Sequence, residues 1–413
     1  MKGFQKLTSV DQALQLFLKA APARKLNAET VVLPFALNRV LAEDVIADEN
    51  LPRFDKSAVD GYAVRTEDTA NASQFRPKTF ALTEGKSVGR KQAVQVSTGN
   101  PMPEGSDAVA MLENAKRVEG GIEVWVALTP GANVSLKGED VPKGKTVLEP
   151  GTRLGPYHLA LIGALGRTKV KVYERPVVGV LATGNELTKI GHKLHPNQIF
   201  DTNRLMVSSM CFELGAEPLD LGIAGDDVEE IGCMLKEGLR KADAVITTGG
   251  TSVGEADLVP EVVGRIGKPG VVAHGVAMRP GMPTALAVVD GKPIVILSGN
   301  PVAAVVGFEF FARPLICRQL GLKGTELRPV VKARLTNRVT SALGRKTFVR
   351  VCVHWEGGEL FARPVSARGS GAISTLTEAN GYVVVAENRE GLEEGETVSV
   401  SLFSSIVEAK VSV

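Results

Sequence analysis

Between Pro176 and about Leu322 the sequence switches repeatedly between two hydrophobic periods, and few folds accept that pattern. Val177 to Leu181 is a continuous apolar run of strand length, Asn203 to Leu214 and Asp226 to Arg240 have helical spacing, and Ala244 to Thr248 is a second buried strand. Strands alternating with helices imply a parallel sheet covered on both faces, a doubly wound α/β domain. Thr284 to Val289, Asp290-Gly291 and Ile294 to Leu297 read as a hairpin, because Asp-Gly between β-branched runs supplies the positive φ of a two-residue turn. Asn300 and Pro301 then cap and start a long helix toward Leu320.

That domain, residues 176–323, leaves most of the 413 residues to other cores, and two to four domains are expected in all. The chain opens on a helix: Ser9 can cap it with Gln12 three residues later, and Leu14, Phe17, Leu18 and Ala21 share one face. Pro150 to Pro156 opens a second apolar helix through Leu165, expected to pack with the first. Residues 1–50 and 146–175 are thus one discontinuous, elongated helical domain. Short alternating runs broken by Gly and Pro, such as Ile122-Glu-Val-Trp-Val, make residues 51–145 a small β domain inserted in it. Val349 to His354, Tyr382 to Ala386 and Thr397 to Phe403 alternate at period two, so residues 324–413 form a compact C-terminal β domain. The fold class is multidomain α/β plus all-β.

Composition excludes several functions. Hydrophobic and charged fractions of 44% and 23% do not suit a disordered, coiled-coil or collagen-like chain. Lys plus Arg exceeds Asp plus Glu by 48 − 46 = 2, so no global field drives binding to nucleic acid or to an anionic membrane. No stretch approaches the ~18 apolar residues of a transmembrane helix. Asp11 and Lys19 interrupt what an export signal needs, which makes the cytoplasm the expected location. Cys211, Cys233, Cys317 and Cys352 form no C-x-x-C pair and read as buried thiols in a reducing compartment.

In open α/β sheets ligands bind beyond the carboxyl ends of the strands, and here two strands run into polar, glycine-containing loops. One is Ala182-Thr-Gly-Asn-Glu186, with Thr183 and Gly184. The other is Thr247 to Asp257, with Thr248, Gly249, Gly250 and Ser252. Close backbone approach, hydroxyl donors and a carboxylate suit a phosphate with its Mg²⁺, while a capped Gly-Gly turn needs no ligand at all. Glu186 and Asp257 begin no evident helix and read as Mg²⁺ ligands. Asp226 reads more simply as an N-cap boxed by Glu229. Arg279, framed by Pro and Gly in Met278 to Pro283, can grip an oxyanion, and Ser298-Gly299-Asn300 brings backbone donors to the same region. Ser57 to Ala63 and Ser97 to Pro103 read by spacing as two hairpins. His192 and His195 read as a loop pair, and His158, His274 and His354 as isolated.

Together these strings resemble the molybdopterin molybdenumtransferase family, bacterial MoeA and the E domain of gephyrin, over nearly the whole chain. The pieces are Ser57-Ala-Val-Asp-Gly-Tyr-Ala63, Thr98-Gly-Asn-Pro-Met-Pro103, Gly138-Glu-Asp140, Thr183-Gly-Asn-Glu-Leu187, Asp201-Thr-Asn203, Thr247-Thr-Gly-Gly250 with Ser252-Val-Gly254 and Asp257, Arg279-Pro-Gly281, and Gly299-Asn-Pro301. The resemblance implies a MogA-like central domain, an elongated helical linker domain and a barrel-like C-terminal domain. It implies that molybdate is inserted into the dithiolene of adenylylated molybdopterin, with Mg²⁺-dependent release of AMP. It further implies a homodimer with an active site shared between subunits, and molybdopterin adenylyltransferase and apo-molybdoenzymes as partners. Glu186, Asp226 and Asp257 then hold Mg²⁺ and the diphosphate, and Asp60, Thr98 and Asp140 line the cleft from the inserted domain. Arg279 matches a molybdate-site position, with Arg350 and Ser370 contributing from the C-terminal domain. Gly275 and Met282 give this chain less charge around the Pro-Gly motif than the family usually has, and Asn185 and Ser298 replace its usual Asp and Pro. A molybdopterin-binding scaffold without chemistry, a tungstate-inserting homologue and a related adenylyltransferase are the competing readings.

Overall fold

The computed structural model describes residues 7–251, 257–365 and 370–408. Its contacts divide the chain into two compact units, residues 1–29 with 173–413 and residues 30–172.

The first unit contains a six-stranded sheet. Strands β1 (Val177–Thr183), β2 (Glu217–Ala224), β3 (Ala244–Thr248) and β6 (Lys292–Leu297) are parallel, and β5 (Ala285–Val289) and β4 (Pro269–His274) continue it antiparallel, in the order β2-β1-β3-β6-β5-β4. Both faces are covered, which is why β1 and β3 read as unbroken apolar runs. Helices α3 (Val228–Lys241) and α4 (Leu258–Ile266) bury Ile231, Leu235, Val259 and Val262 against Leu181, Val245, Ala287 and Ile294. On the other face α2 (Asn203–Leu214) packs with α5 (Pro301–Gly307) and α6 (Arg313–Gln319). The expected hairpin is β5–β6, turning at Asp290 and Gly291 with φ of 49° and 82°.

Three expectations are corrected. The opening helix, α1 (Val10–Ala20), is capped by Ser9, whose Oγ accepts from Gln12 N at 3.3 Å. Its apolar face of Val10, Ala13 and Phe17 packs on β4 and β5, so it groups with the α/β sheet instead of with residues 146–175. The helix after Pro301 does not run straight to Leu320: Phe308–Ala312 is a π-helical segment between α5 and α6, and Asn300 makes no side-chain cap bond. The cap of α3 is Asp227, accepting from Glu230 N at 2.8 Å, one residue later than the Asp226–Glu229 box.

The same unit ends in a closed barrel. Strands β7 (Val330–Leu335), β8 (Lys346–Glu356), β9 (Glu359–Pro364), β10 (Gly381–Val385) and β11 (Thr397–Leu402) close in the order β8-β9-β7-β11-β10-β8 around Val351, Val353, Ala362, Val383, Val385 and Val400. Closure leaves none of these five strands with an open edge to shield. Met278–Arg279 joins β8 as a short parallel addition, and Val302 N donates to Ser370 O at 3.0 Å. Loop and barrel are thereby held together.

In the second unit a six-stranded sheet of Ala108–Met111, Gly61–Val64, Gln92–Val96, Lys78–Leu82, Gly121–Val124 and Ala115–Val118 buries Tyr62, Phe80 and Ile122. The residues flanking it are less helical than expected. Pro156–Ala164 is the one α-helix among the described residues of this unit, and short pairs such as Val45–Ile46 with Thr146–Leu148 surround the Leu41, Leu154 and Ile162 core. No described helix is long and apolar enough to cross a membrane.

Candidate functional site

Strand order reverses between β1 and β3: the chain leaves β1 for β2 on one side, then crosses to β3 on the other. The loops leaving the carboxyl ends of these strands open the crevice where α/β sheets bind ligands. Gly184 N donates to Ala224 O at the end of β2 (3.1 Å), and Asn185 and Asp226 exchange two bonds, N to Oδ2 at 3.2 Å and N to Oδ1 at 3.1 Å. Asp226 is therefore tied to the Glu186 loop and not to α3. Glu186 is exposed, with its carboxylate folded over Gly184, where a Cβ would stand 2.5 Å from Oε2.

The loop after β3 meets the same place. Gly249 N donates to Leu297 O at 3.0 Å. Gly249 has φ of +91°, and a Cβ there would lie 2.3 Å from Thr183 O, so only glycine lets the two loops approach. Asn203, at the start of α2, donates Nδ2 to Gly299 O at 2.7 Å, bringing in the loop after β6. Thr183, Thr248 and Ser298 are buried here, and Gly299 and Asn300 are exposed. Thr183 Oγ1 and Asn203 Oδ1 are buried and have no hydrogen-bond partner among the described residues. Ser252 lies outside those residues.

Asp257 stands directly before α4 without capping it, which corrects the reading that it begins no helix. Its Oδ1 is buried and unpartnered among the described residues, and Oδ2 lies 3.8 Å from His274 Nε2 at the end of β4. Burial pushes the Asp257 carboxyl up, opposed by the nearby imidazole, and burial pushes the His274 imidazole down. His274 is thus not isolated. Nor are His158, whose Nδ1 accepts from Gly155 N at 2.9 Å, and His354, 3.5 Å from Glu356. His192 and His195 are exposed in a loop, and no group of three metal-ligating side chains forms among the described residues.

Five residues beyond His274, Arg279 enters a cleft of about 470 Å³ between the Met278–Pro283 loop and the barrel. Arg345, Thr347, Arg350 and Ser370 line it as well. Arg279 is exposed. Arg350 is half-buried, its Nε has no partner among the described residues, and burial lowers its pKa. Sequence reasoning missed Arg345 and Thr347. The alternating run into β8 signalled a strand but gave no sign that Met278–Arg279 pairs with it at Lys346–Thr347.

In the second unit the two expected hairpins are instead one pair of facing loops. Gly99 N donates to Ser57 O (2.8 Å), Ser57 N to Asn100 O (2.9 Å), and Asp60 Oδ1 accepts from Thr98 N at 2.8 Å and Thr98 Oγ1 at 3.3 Å. Asp60 and Thr98 are brought together and exposed. Asp140, also exposed, lies on another turn, with its amide donating to Leu51 O at 3.1 Å. Of the cysteines, Cys211 and Cys317 are buried, Cys352 is intermediate and Cys233 is exposed, which corrects the expectation of four buried thiols. Burial pushes the Cys211 thiol up to about 12.

Comparison with known proteins covers most of the chain. Residues 8–166 match the MoeA N-terminal region (domain I and II), residues 179–318 a probable molybdopterin binding domain, and residues 332–403 the MoeA C-terminal region (domain IV). The chain is 39% identical over 389 residues to the molybdopterin molybdenumtransferase of Bacillus subtilis, covering 91% of this chain and 90% of the relative. It is 36% identical over 406 residues to that of Haemophilus influenzae, covering 97% and 100%. The crystal structure of a molybdopterin biosynthesis moeA protein from Pyrococcus horikoshii OT3 superposes with a TM-score of 0.82 at 32% identity, over 96% of this chain and 100% of that one.

Proposed function

The chain belongs to the MoeA family, and on that premise we propose that it acts as a molybdopterin molybdenumtransferase, inserting molybdate into the dithiolene of adenylylated molybdopterin and releasing AMP. One observation carries this reading: the crevice loops and the arginine-lined cleft are two ends of one segment, β4 delivering His274 beside Asp257 and then Arg279 into the cleft. A phosphate-linked adenylate and a tetrahedral oxyanion need those two environments.

The donor chemistry suits Mg²⁺, although no three ligating side chains already converge among the described residues. Glu186, Asp226 and Asp257 offer hard oxygen donors only, and a buried carboxylate oxygen lacking a hydrogen-bond donor is stabilised by a cation. Bound there, Mg²⁺ would neutralise diphosphate charge and the departing AMP. Gly249 and Gly250 expose backbone that a diphosphate can approach, with Thr183, Gly184, Thr248, Ser298, Gly299 and Asn300 forming the surrounding walls. Arg279 and Arg350, with Ser370, hold the oxyanion through guanidinium forks and a hydroxyl. Asp60, Thr98 and Asp140 of the inserted domain are further candidates for substrate contact, and the functional unit is inferred to be a cytoplasmic homodimer. Its adenylylated substrate comes from an adenylyltransferase, and its product goes to apo-molybdoenzymes.

The test is AMP release from adenylylated molybdopterin with Mg²⁺, titrating molybdate and tungstate in parallel. Saturable, metal-oxyanion-dependent AMP release is expected, and none at high concentration of either anion refutes the reaction class. Asp257→Ala should abolish turnover without lowering the melting temperature. Adenylyl transfer from ATP to molybdopterin would instead mark the chain as an adenylyltransferase.

A further inference from the structure

The cleft between the Met278–Pro283 loop and the barrel is built from donors. Arg279, Arg345 and Arg350 line it with the hydroxyls of Thr340, Thr347 and Ser370, and no carboxylate is among its described lining residues. None of the three guanidiniums has an ion pair or side-chain hydrogen bond among the described residues. The contrast within the same unit is sharp: Arg313 and Arg328 share the Glu309 carboxylate, and Arg204 pairs with Asp201. Three unpaired cations around one concavity call for an anion.

Tetrahedral oxyanions differ in what they bring to such a lining. Molybdate, tungstate and sulfate present four acceptor oxygens and no proton at neutral pH. Phosphate and arsenate keep at least one hydroxyl, a donor that needs an acceptor of its own. The side-chain acceptors among the described lining residues are hydroxyls alone, which an oxyanion also draws on as donors: Thr347 Oγ1 already accepts from Ser341 Oγ at 2.7 Å, Thr340 and Ser370 supply the others, and no carboxylate is among them. A polar donor left unpaired on partial desolvation weakens binding by about one to two powers of ten. The Met278–Pro283 loop contributes one cation, Arg279, so the remaining charge comes from the barrel, where Arg345 precedes β8 and Arg350 lies within it.

We propose that this cleft selects tetrahedral dianions that carry no proton, and that Arg345 is a specificity-determining residue completing its donor set. The proposal rests on the cleft's role as oxyanion site and states which oxyanions it admits.

Calorimetric titration of the full chain with molybdate at pH 7.5, followed by competition with sulfate or phosphate, tests it. Molybdate should bind, sulfate should displace it, and phosphate should compete at least about tenfold more weakly than sulfate. Arg345→Ala should weaken molybdate binding at least about tenfold with the melting temperature retained, and Arg345→Lys, which keeps charge without the fork, should fall between. Thr340→Asp, adding an acceptor, should narrow the gap between sulfate and phosphate. Should Arg345→Ala fail to fold, Arg345→Lys and the parental sulfate-to-phosphate ratio decide. Phosphate competing as well as sulfate, or parental affinity in either folded Arg345 variant, overturns the proposal while leaving the transferase reading intact. Absence of molybdate binding by the parent chain sinks the oxyanion site itself.

Discussion

Glu309→Ala should be among the most damaging single changes to the unit that carries the crevice and the cleft. Glu309 sits in the π-helical segment with its side chain 5% exposed. It accepts from Arg313 Nε at 2.9 Å and Nη2 at 3.2 Å, and from Arg328 Nη2 at 2.7 Å and Nε at 3.3 Å. The two guanidiniums are only 10% and 14% exposed. Burial works against the Arg328 charge, yet its hydrogen bonds with Glu309 hold its pKa above the ordinary value. Removing the carboxylate leaves two desolvated cations facing each other, at a cost of about 3–5 kcal/mol for a broken buried pair. Arg328 retains Glu213 at 3.5 Å, but that carboxylate is mostly exposed and offsets at most about 1 kcal/mol. A net loss of about 2–4 kcal/mol follows, or roughly 4–16 °C in melting temperature at ~2–4 °C per kcal/mol. Calorimetric melts at pH 7.5 measure it. Glu309→Leu combined with Arg313→Met and Arg328→Met should melt near the parent, since apolar groups of similar size replace the whole network. A Glu309→Ala melt within about 1 °C of the parent, or a triple variant as unstable as the single one, refutes the reasoning.

Brief alkylation of the native protein should label Cys233 and spare Cys211 and Cys317 until denaturant is added, because burial keeps Cys211 protonated at any working pH; mass spectrometry of the peptides reads this directly. Gly249→Ala should lower stability by at least about 1–2 kcal/mol and remove AMP binding, since its Cβ meets Thr183 O, whereas Gly99→Ala, with open space around its Cβ, should cost only the strain of positive φ. Asp257→Asn should raise the melting temperature at pH 7.5. The folded pKa of Asp257 is raised, so its contribution is fully present below the unfolded value near ~3.9 and is lost as pH rises through the folded pKa; the variant's advantage should shrink as pH falls toward 4.

What could be read from the sequence depended on how local its cause was. β1 and β3 are buried on both faces, so their apolar runs were legible. The β5–β6 turn was legible too, because Asp290-Gly291 carries its own geometry. Errors arose where several local solutions competed and long-range contact chose between them. Asp226 and Asp227 are both acceptable caps, and the pairing of Asp226 with Asn185, 41 residues earlier, leaves the cap to Asp227. The face of α1 was clear, but its partner was not: amphipathic spacing says that a helix is half-buried, never against what. Arg345 is the extreme case, since an arginine before a strand has no local signature and enters the cleft only because a two-residue segment 67 positions earlier pairs with β8. The Asp257 oxygen and the three cleft arginines that find no partner among the described residues belong to the same class. Each is a local cost that folding alone does not explain, and such costs concentrate where a ligand compensates them. They therefore identify the crevice and the cleft more strongly than the glycine strings do, since a glycine motif is equally compatible with a turn that binds nothing.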